Sequence, residues 1–408
     1  MKSCSTCDTE YPDSERFCPR DGTALRSRDA ADLIGTVIAD RYHVLAKLGE
    51  GGMGQVYLAE HLRMKRKSAV KVMRPAMSAD PDAISRFNRE AANACQISHP
   101  NVAAIYDFGE TRDGIVYLAM EYVDGQSLGN ELDASGSLPV GRVANIVRQV
   151  ADGLHVAHEL GIIHRDLKPD NILISRLADG TDRVKVVDFG ISKAAEDGQS
   201  VTRTGHVVGT PAYMSPEQLS GDIVDRRSDV YTLAIVTFHL LTGDLPFSSE
   251  NAQSVMLKRL TDRPRTLAQV RPEIPWPPQL QGVFDRALMM EAADRYASAP
   301  EFAAAFTAAA GDAGNLDAGA MTVLVAAPPA PVRRPATSGA LEFPLPSGVQ
   351  QADIARIEAG LARIVGPIAR VLVRRAAASA GSRESLLDML AADIDDSRER
   401  DDFRRSMR

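Results

Sequence analysis

The period of the hydrophobic pattern changes once along this chain, near Val123–Gln126, and that change restricts the folds open to it. Upstream, "YHVLAKLG", "QVYLAEHL" and "SAVKVMR" alternate or run apolar over short lengths, as strands do. A helix-like stretch covers Ala83–Gln96, after which "VAAIYDFGE" and "IVYLAMEYV" return to strand character. Beyond Ser127 the spacing is mainly helical, as in "VANIVRQVADGLHVAHELG" and "RRSDVYTLAIVTFHLLTG". The reading is an α+β chain in which a β-rich part precedes a larger α-rich part, with the junction as a hinge.

At 408 residues there is room for two or three domains, and four zones separate by composition. Residues 1–26 hold a cysteine cluster, 42–309 a dense run of periodic segments, 310–350 an Ala/Pro-rich linker ("APPAPVRRPATSG"), and 351–408 a helical module. A net charge of −7 argues against nucleic acid as a partner. No apolar run reaches the roughly 18–20 residues that span a bilayer, and "MKSCSTCD" lacks the apolar stretch of a signal peptide. A cytoplasmic location is expected.

Chemistry gathers in four short motifs. "LGEGGMGQVY" sets Gly49, Gly51 and Gly54 in a G-x-G-x-x-G pattern between two strands, where backbone amides can face phosphates with no Cβ in the way. A strand after the turn disfavours the dinucleotide-binding reading of the same spacing. "AVKVM" puts Lys71 among apolar neighbours, where an ammonium needs an anion; Glu90, on the helix-like stretch, is a plausible carboxylate partner. "HRDLKPDN" offers Asp166 to take a proton from an acceptor hydroxyl, Lys168 to offset charge and Asn171 to hold Mg²⁺. "VVDFG" adds Asp188 as a second metal-binding carboxylate. Phosphoryl transfer from ATP asks for this set, since it depends on positioning and charge neutralisation.

With "GEGGMGQV" (49–56), "AVK", Glu90, "HRDLKPDN", "DFG" and "GTPAYMSPE" in that order, the chain resembles the bacterial eukaryotic-like (Hanks-type) serine/threonine protein kinases over about two-thirds of its length. The resemblance implies a bilobal protein-kinase fold with ATP between the lobes. It implies that Lys71 holds the α- and β-phosphates and pairs with Glu90, and that Asp166 is the catalytic base. Lys168 would lie near the γ-phosphate, with Asn171 and Asp188 on two Mg²⁺ ions. Gly49, Glu50, Gly51, Gly52, Met53, Gly54 and Gln55 would cover the nucleotide, and Leu48, Val56, Ala69 and Leu173 would sandwich the adenine. Met120 looks like the gatekeeper, with Glu121 and Val123 presenting hinge backbone groups.

The same resemblance makes Arg165 a receptor for a phosphate on the loop "ISKAAEDGQSVTRTGHVVGTPAYMSPE", where Thr202 and Thr204 match autophosphorylation sites. Thr210 would contact Asp166 and Lys168. The family's Ala-Pro-Glu reads Ser215-Pro216-Glu217 here, and an ion pair from Glu217 to Arg295 is expected. Asp229 matches a buried helix carboxylate that braces the catalytic loop. Protein Ser/Thr hydroxyls are the implied acceptors. A nucleotide-binding scaffold and a small-molecule kinase are the rival classes.

In "CSTCDTEYPDSERFCPRDGTAL", Cys4 and Cys7 stand as C-x-x-C and Cys18 and Asp21 as C-x-x-D, like a zinc ribbon whose fourth cysteine is an aspartate. Asp21 is the choice for fourth ligand, with His43 or water as rivals, and a disordered leader as the plain alternative. Cys95 reads as a core residue, and His155 and His158 as ordinary helix residues. In the tail, Ile354, Ile357, Leu361, Ile364, Ile368 and Leu372 keep helical spacing, interrupted at Gly366-Pro367, and "SLLDMLAADIDDSRERDDFRR" suggests another helix. A self-packing bundle is expected. Docking of the apolar face beside Arg370, Arg374 and Arg375 on a signalling partner, the kinase or a membrane surface is the alternative.

Overall fold

The computed structural model describes residues 2–3, 9–11, 18–20, 26–27, 33–51, 54–74, 81–189, 211–248 and 252–311, and parts of 353–405. Gly52, Met53, Cys4, Cys7, Asp21, Gly190, Thr202, Thr204, Thr210, the 312–350 stretch of the linker, Ile364, Gly366-Pro367, Ile368, Arg370, Leu372, Arg374 and Arg375 lie outside the described residues. The chain divides into two units: Met1–Pro246 with Pro264–Ala318, and Phe247–Arg263 with Gly319–Arg408.

In the first unit, three two-residue strands, β1 (Lys2–Ser3), β2 (Glu10–Tyr11) and β3 (Arg26–Ser27), form a small sheet in the order β2-β1-β3. The main sheet then follows from β4 (Val37–Ile38), β5 (Tyr42–Gly51), β6 (Gly54–His61), β7 (Lys67–Met73), β8 (Ile105–Glu110) and β9 (Val116–Glu121), ordered β4-β5-β6-β7-β9-β8 and antiparallel throughout. Ile38, Tyr42, Val44, Tyr57, Ala59, Val70, Tyr117 and Ala119 pack together as its core. Alternation along β6 sends Tyr57, Ala59 and His61 inward and leaves Val56 and Leu58 half-buried. Helix α1 (Pro81–Ala94) carries Glu90 and turns Phe87, Ala91 and Ala94 inward. Contrary to the sequence reading, Cys95 is exposed, because α1 closes at Ala94 and that residue takes the inward position. Partial burial and the Asp107 carboxylate push its thiol up, so it is no readier nucleophile for being at the surface.

The α-rich lobe begins after the hinge with β10 (Gln126–Ser127) and α2 (Leu128–Ser135), followed by the 20-residue α3 (Val140–Glu159). Strands β11 (Ile172–Arg176) and β12 (Asp182–Val186), with β10, interrupt the helical pattern; β11 escaped the sequence reading. Short helix α4 (Pro216–Ser220) precedes α5 (Arg226–Thr242), and α6 (Ala252–Thr261), α7 (Leu267–Val270), α8 (Pro278–Ala287) and α9 (Ala299–Gly311) complete the order, α6 belonging to the second unit.

Helix α5 is buried on all sides rather than along one stripe. Thr232, Thr237 and Thr242 are tolerated inside because each hydroxyl donates to the carbonyl four residues back, at 3.0, 2.7 and 2.8 Å. Asp225 caps its start by accepting from the Arg227 N–H at 2.8 Å. Gly243, with φ 75°, ends it where a Cβ would lie 2.1 Å from the Gly136 carbonyl oxygen.

In the second unit, Ile354, Ile357, Leu361, Val373, Ala376, Ala377, Leu386, Leu387, Leu390, Ala391 and Phe403 share one core, with α10 (Arg383–Ala392) contributing four of them. The apolar spacing of "DIARIEAGL" and "SLLDML" is therefore spent on mutual packing at the described positions.

Candidate active site

The β11–β12 hairpin places two of the expected metal ligands. Ile172 pairs with Val186 at its open end, so Asn171 and Asp188 leave from adjoining strands; the Val187 N–H donates to the Asn171 carbonyl at 3.0 Å. Asn171 closes the 3₁₀ turn Pro169–Asn171, and its Nδ2 donates to the Asp166 carbonyl at 2.8 Å and to Asp166 Oδ2 at 3.2 Å. The amide nitrogen is thus committed to the catalytic loop, while the amide oxygen is not used within the chain. Lys168 Nζ stands 3.4 Å from Asp166 Oδ2. Three residues of "HRDLKPDN", Asp166, Lys168 and Asn171, thus meet at one carboxylate.

Asp188 Oδ2 accepts from Lys71 Nζ at 2.9 Å, which draws β7 to the loop after β12. This differs from the expected Lys71–Glu90 pair. A half-buried carboxylate such as Asp188 is stabilised by a neighbouring cation, and the Lys71 ammonium is in reach, with only 12% of its side chain exposed. Burial alone would push the Asp188 carboxyl up; Lys71, with the charges of His164 and Lys168, outweighs it and holds the group below its ordinary range. Asp188 also adopts φ 62°, a strained value for a side chain with a Cβ. Its Oδ1 is buried with no hydrogen-bond partner. Such an orphaned carboxylate oxygen suits a hard divalent cation, and Asp188, with the Asn171 amide oxygen from the adjoining strand, fits Mg²⁺ on donor chemistry.

Asp229, 1% exposed on α5, anchors the loop from below. Its Oδ2 accepts from the His164 N–H at 2.8 Å and lies 2.7 Å from His158 Nε2; its Oδ1 accepts from the Arg165 N–H at 3.0 Å. Burial would raise this carboxyl, but the His158 contact, the charge of His164 and the backbone donor keep it depressed. These bonds hold Arg165 at φ 64°, immediately before Asp166. His158 is therefore part of the brace rather than an ordinary helix residue. His164 completes it, with Nε2 2.9 Å from the Val187 carbonyl and its ring 4.7 Å from that of Phe189.

Arg165 Nε is buried without a partner, and its carbonyl accepts from Gln218 Nε2 at 2.7 Å. Glu217 receives Arg295 Nη1 and Nη2 at 2.8 Å each, as expected, and the arginine also donates to the carbonyls of Met289, Met290 and Arg227. Burial raises the Glu217 carboxyl and Arg295 more than reverses it.

On the β-rich side, Gly54 is required by a close approach: a Cβ there would sit 2.0 Å from the Val72 carbonyl oxygen. Glu50 Oε2 accepts from Lys47 at 2.7 Å and from Gln55 at 3.5 Å, and Arg74 Nη2 donates to the Gly51 carbonyl at 3.0 Å, tying the turn to the end of β7. Ala69 is buried, Val56 and Leu173 are half-buried, and Leu48 is exposed on β5. Met120 lines a small cavity with Leu118, Ile105, Phe189 and Asp188.

One hinge contact had no sequence signal. Lys185 on β12, buried, reaches Glu121 Oε2 at 2.6 Å and the Val102 carbonyl at 3.2 Å. Glu121 also gives its N–H to the Ala104 carbonyl at 2.8 Å and accepts from the Ala104 N–H at 3.3 Å. The hinge is clamped to the strand that leads to Asp188. Only the placing of a lysine inside the apolar run "VKVV" before "DFG" could have hinted at it.

Among the described residues no three His, Cys, Asp or Glu side chains cluster as a metal site. Of the four zinc ligands expected, Cys18 alone is described; it is buried, with its Sγ 3.3 Å from the Tyr11 hydroxyl.

Comparison with known proteins follows the same lines. Residues 42–303 match the profile of the protein kinase domain, and residues 352–408 match a domain of unknown function, DUF8082. The serine/threonine-protein kinase pkn3 of Myxococcus xanthus is 41% identical over 325 residues, covering 79% of this chain and 57% of that protein. The serine/threonine-protein kinase PknB of Mycobacterium leprae is 42% identical over 270 residues, covering 65% of this chain and 42% of its own. The chain thus spans about half the length of these relatives. The crystal structure of the Mycobacterium tuberculosis PknI kinase domain superposes with a TM-score of 0.55 at 35% identity, covering 68% of this chain and 98% of that one. With the Asp166–Asn171–Asp188 cluster between a β-sheet lobe and a helical lobe, and with identity of this extent, the chain belongs to the protein kinase family, in its bacterial serine/threonine branch.

Proposed function

We propose that the chain is a serine/threonine protein kinase that transfers the γ-phosphoryl group of ATP to protein hydroxyls in bacterial signalling. The observation that carries this reading is the convergence of Asp166, Lys168, Asn171, Asp188 and Lys71 through contacts of 2.8–3.4 Å. Asp166 takes the proton of the acceptor hydroxyl as its oxygen bonds to the γ-phosphorus, and the bond from that phosphorus to the β-bridging oxygen breaks to release ADP. Lys168, beside Asp166, offsets charge on the transferring group, and Lys71 serves the α- and β-phosphates. Asn171 and Asp188 would hold Mg²⁺, which supplies charge neutralisation along the phosphate chain. Gly49, Gly51 and Gly54 let the β5–β6 turn close over the nucleotide, with Val56, Ala69 and Leu173 against the adenine.

Regulation by phosphorylation at Thr202 and Thr204 is supported by the partnerless buried Nε of Arg165, which suits an incoming anion. Thr210 is assigned to the contact with Asp166 and Lys168. For the leader, residues 1–26, we assign zinc held by Cys4, Cys7, Cys18 and Asp21, supported by the buried Cys18 thiol and its contact with Tyr11 of the small three-stranded sheet. The kinase domain is taken as 42–309, the linker as 310–350, and 351–408 as a self-packing helical module, supported by its shared core. No helix among the described residues is long and apolar enough to cross a membrane, and we assign the kinase to the cytoplasm.

The test is transfer of label from γ-labelled ATP with Mg²⁺ to a basic acceptor protein. Label with the wild type that Asp166→Asn abolishes is the expected result; no label with either favours a nucleotide-binding scaffold. Metal analysis should give about one zinc per chain, lost in the Cys4→Ser/Cys18→Ser double variant.

A further inference from the structure

Residues 42–303 match the kinase profile and residues 352–408 a separate domain of unknown function, but packing does not follow that division. Phe247–Arg263, which lies inside the kinase match, belongs to the same compact unit as Gly319–Arg408. The segment leaves the first unit and rejoins it at one narrow neck. There the Arg265 N–H donates to the Pro246 carbonyl at 2.9 Å, and the Arg265 guanidinium to the Leu245 carbonyl. Beyond the neck, Lys258 Nζ donates to the Ser248 carbonyl at 2.8 Å and ties α6 to the residues that lead into it.

Helix α6 lacks the exposed stripe of a helix laid on a single surface. Its described side chains, Ser254–Met256 and Lys258–Thr261, pass right round the helix, and none is exposed. Helix α8, by contrast, leaves Gln279, Gly282, Asp285 and Arg286 open to solvent. Arg259 is covered most completely: it is 2% exposed, with its guanidinium 5.4 Å from the centre of the buried Phe247 ring. Burying a guanidinium is costly unless a fitted, charge-matched surface surrounds it. The charges match within the second unit. Helix α6 carries Lys258 and Arg259 and no acid, whereas "ESLLDMLAADIDDSRERDD" (384–402) sets eight carboxylates against two arginines.

We propose that the 351–408 module is the built-in binding partner of α6, docking on the helix face that carries Arg259 and closing it to other proteins. The covalent tether makes this docking intramolecular, so modest complementarity keeps the face occupied. The domain of unknown function thereby gains an interaction role within its own chain, separate from phosphoryl transfer.

The test is a trypsin pulse on the full chain, timed so that cleavage samples the open population, with fragments read by mass spectrometry. Leu390 is fully buried in the module core, and Leu390→Asp unfolds the module. Cleavage after Lys258 and Arg259 should then rise about tenfold or more over wild type, while cleavage after Arg148 in α3 stays as it was. In the reverse direction, Arg259→Met should speed cleavage after Arg383, at the start of α10, about tenfold. Unchanged cleavage of α6 in a Leu390→Asp chain that is cut freely after Arg383 overturns the proposal. So does protection of α6 that fades on about twentyfold dilution of the wild type, which makes a second copy the occupant. If Arg259→Met also opens the site after Arg148, the lobe itself has loosened and the Leu390→Asp result decides. None of these readouts uses ATP, so this inference and the kinase reading fail separately.

Discussion

Asp229→Asn is the substitution whose effect can best be worked out in advance. The carboxylate is 1% exposed and meets three groups: His158 and the His164 N–H at Oδ2, and the Arg165 N–H at Oδ1. An asparagine whose oxygen takes the Oδ2 position keeps the first two contacts and turns its NH₂ against the Arg165 N–H. One charge-assisted bond is lost, at about 1.5–3 kcal/mol, and two buried donors face each other, at about 1–3 kcal/mol more. The sum, about 2.5–6 kcal/mol, brackets the cost of about 3–5 kcal/mol for breaking a buried ion pair by removing one partner. Activity should fall further than stability alone dictates. Arg165 is held at φ 64° by that bond, and its release lets Asp166 drift; a displacement of about 1 Å costs about 10²-fold in rate. Urea unfolding followed by tryptophan fluorescence or circular dichroism gives the first number, and kcat measured well below the melting transition gives the second. A midpoint shift worth under about 1 kcal/mol, with kcat within about threefold of wild type, would refute the bracing argument.

Three further outcomes follow from the same contacts. Lys185→Met should unpair Glu121 and loosen the hinge, raising KM for ATP about 10-fold or more while kcat changes little, as read from initial rates against ATP concentration. Arg295→Met should cost about 3–5 kcal/mol in urea unfolding, and combining it with Glu217→Gln should cost much less than the two singles summed. Asp188, Glu217 and Asp229 all have folded-state values below their ordinary ones. Their contribution to stability is therefore complete above the unfolded values of roughly pH 4 and is lost as pH falls through the folded ones. Stability should then drop by up to about 4 kcal/mol per pH unit in strong acid, the slope for three protons, and a pH series on Glu217→Gln/Arg295→Met should be shallower.

Much of the catalytic centre was legible because it is local. Asp166, Lys168 and Asn171 fall within one octapeptide, and the loop that holds them is short enough for spacing to dictate proximity. The order of strands and helices was legible too, since each element carries its own period. What escaped was pairing at long range. Lys71 and Asp188 are separated by 117 positions, Lys185 and Glu121 by 64, and His158 and Asp229 by 71. Periodicity says that such a side chain is buried but not which opposite charge neutralises it. The Lys71–Glu90 expectation went astray on that point, and His158 looked ordinary for the same reason. Cys95 shows the complementary failure: a helix end misplaced by two residues exchanges an inward position for an outward one.

The burial of α5 has a kinetic corollary. A helix enclosed on every side has no fraying path of its own, so its amides can exchange with solvent only when the surrounding lobe opens. In a deuterium-uptake experiment α5 would serve as the internal reference of the domain, nearly silent to nucleotide, acceptor and phosphorylation alike. Any treatment that accelerates uptake there reports on the integrity of the whole lobe and not on its signalling state.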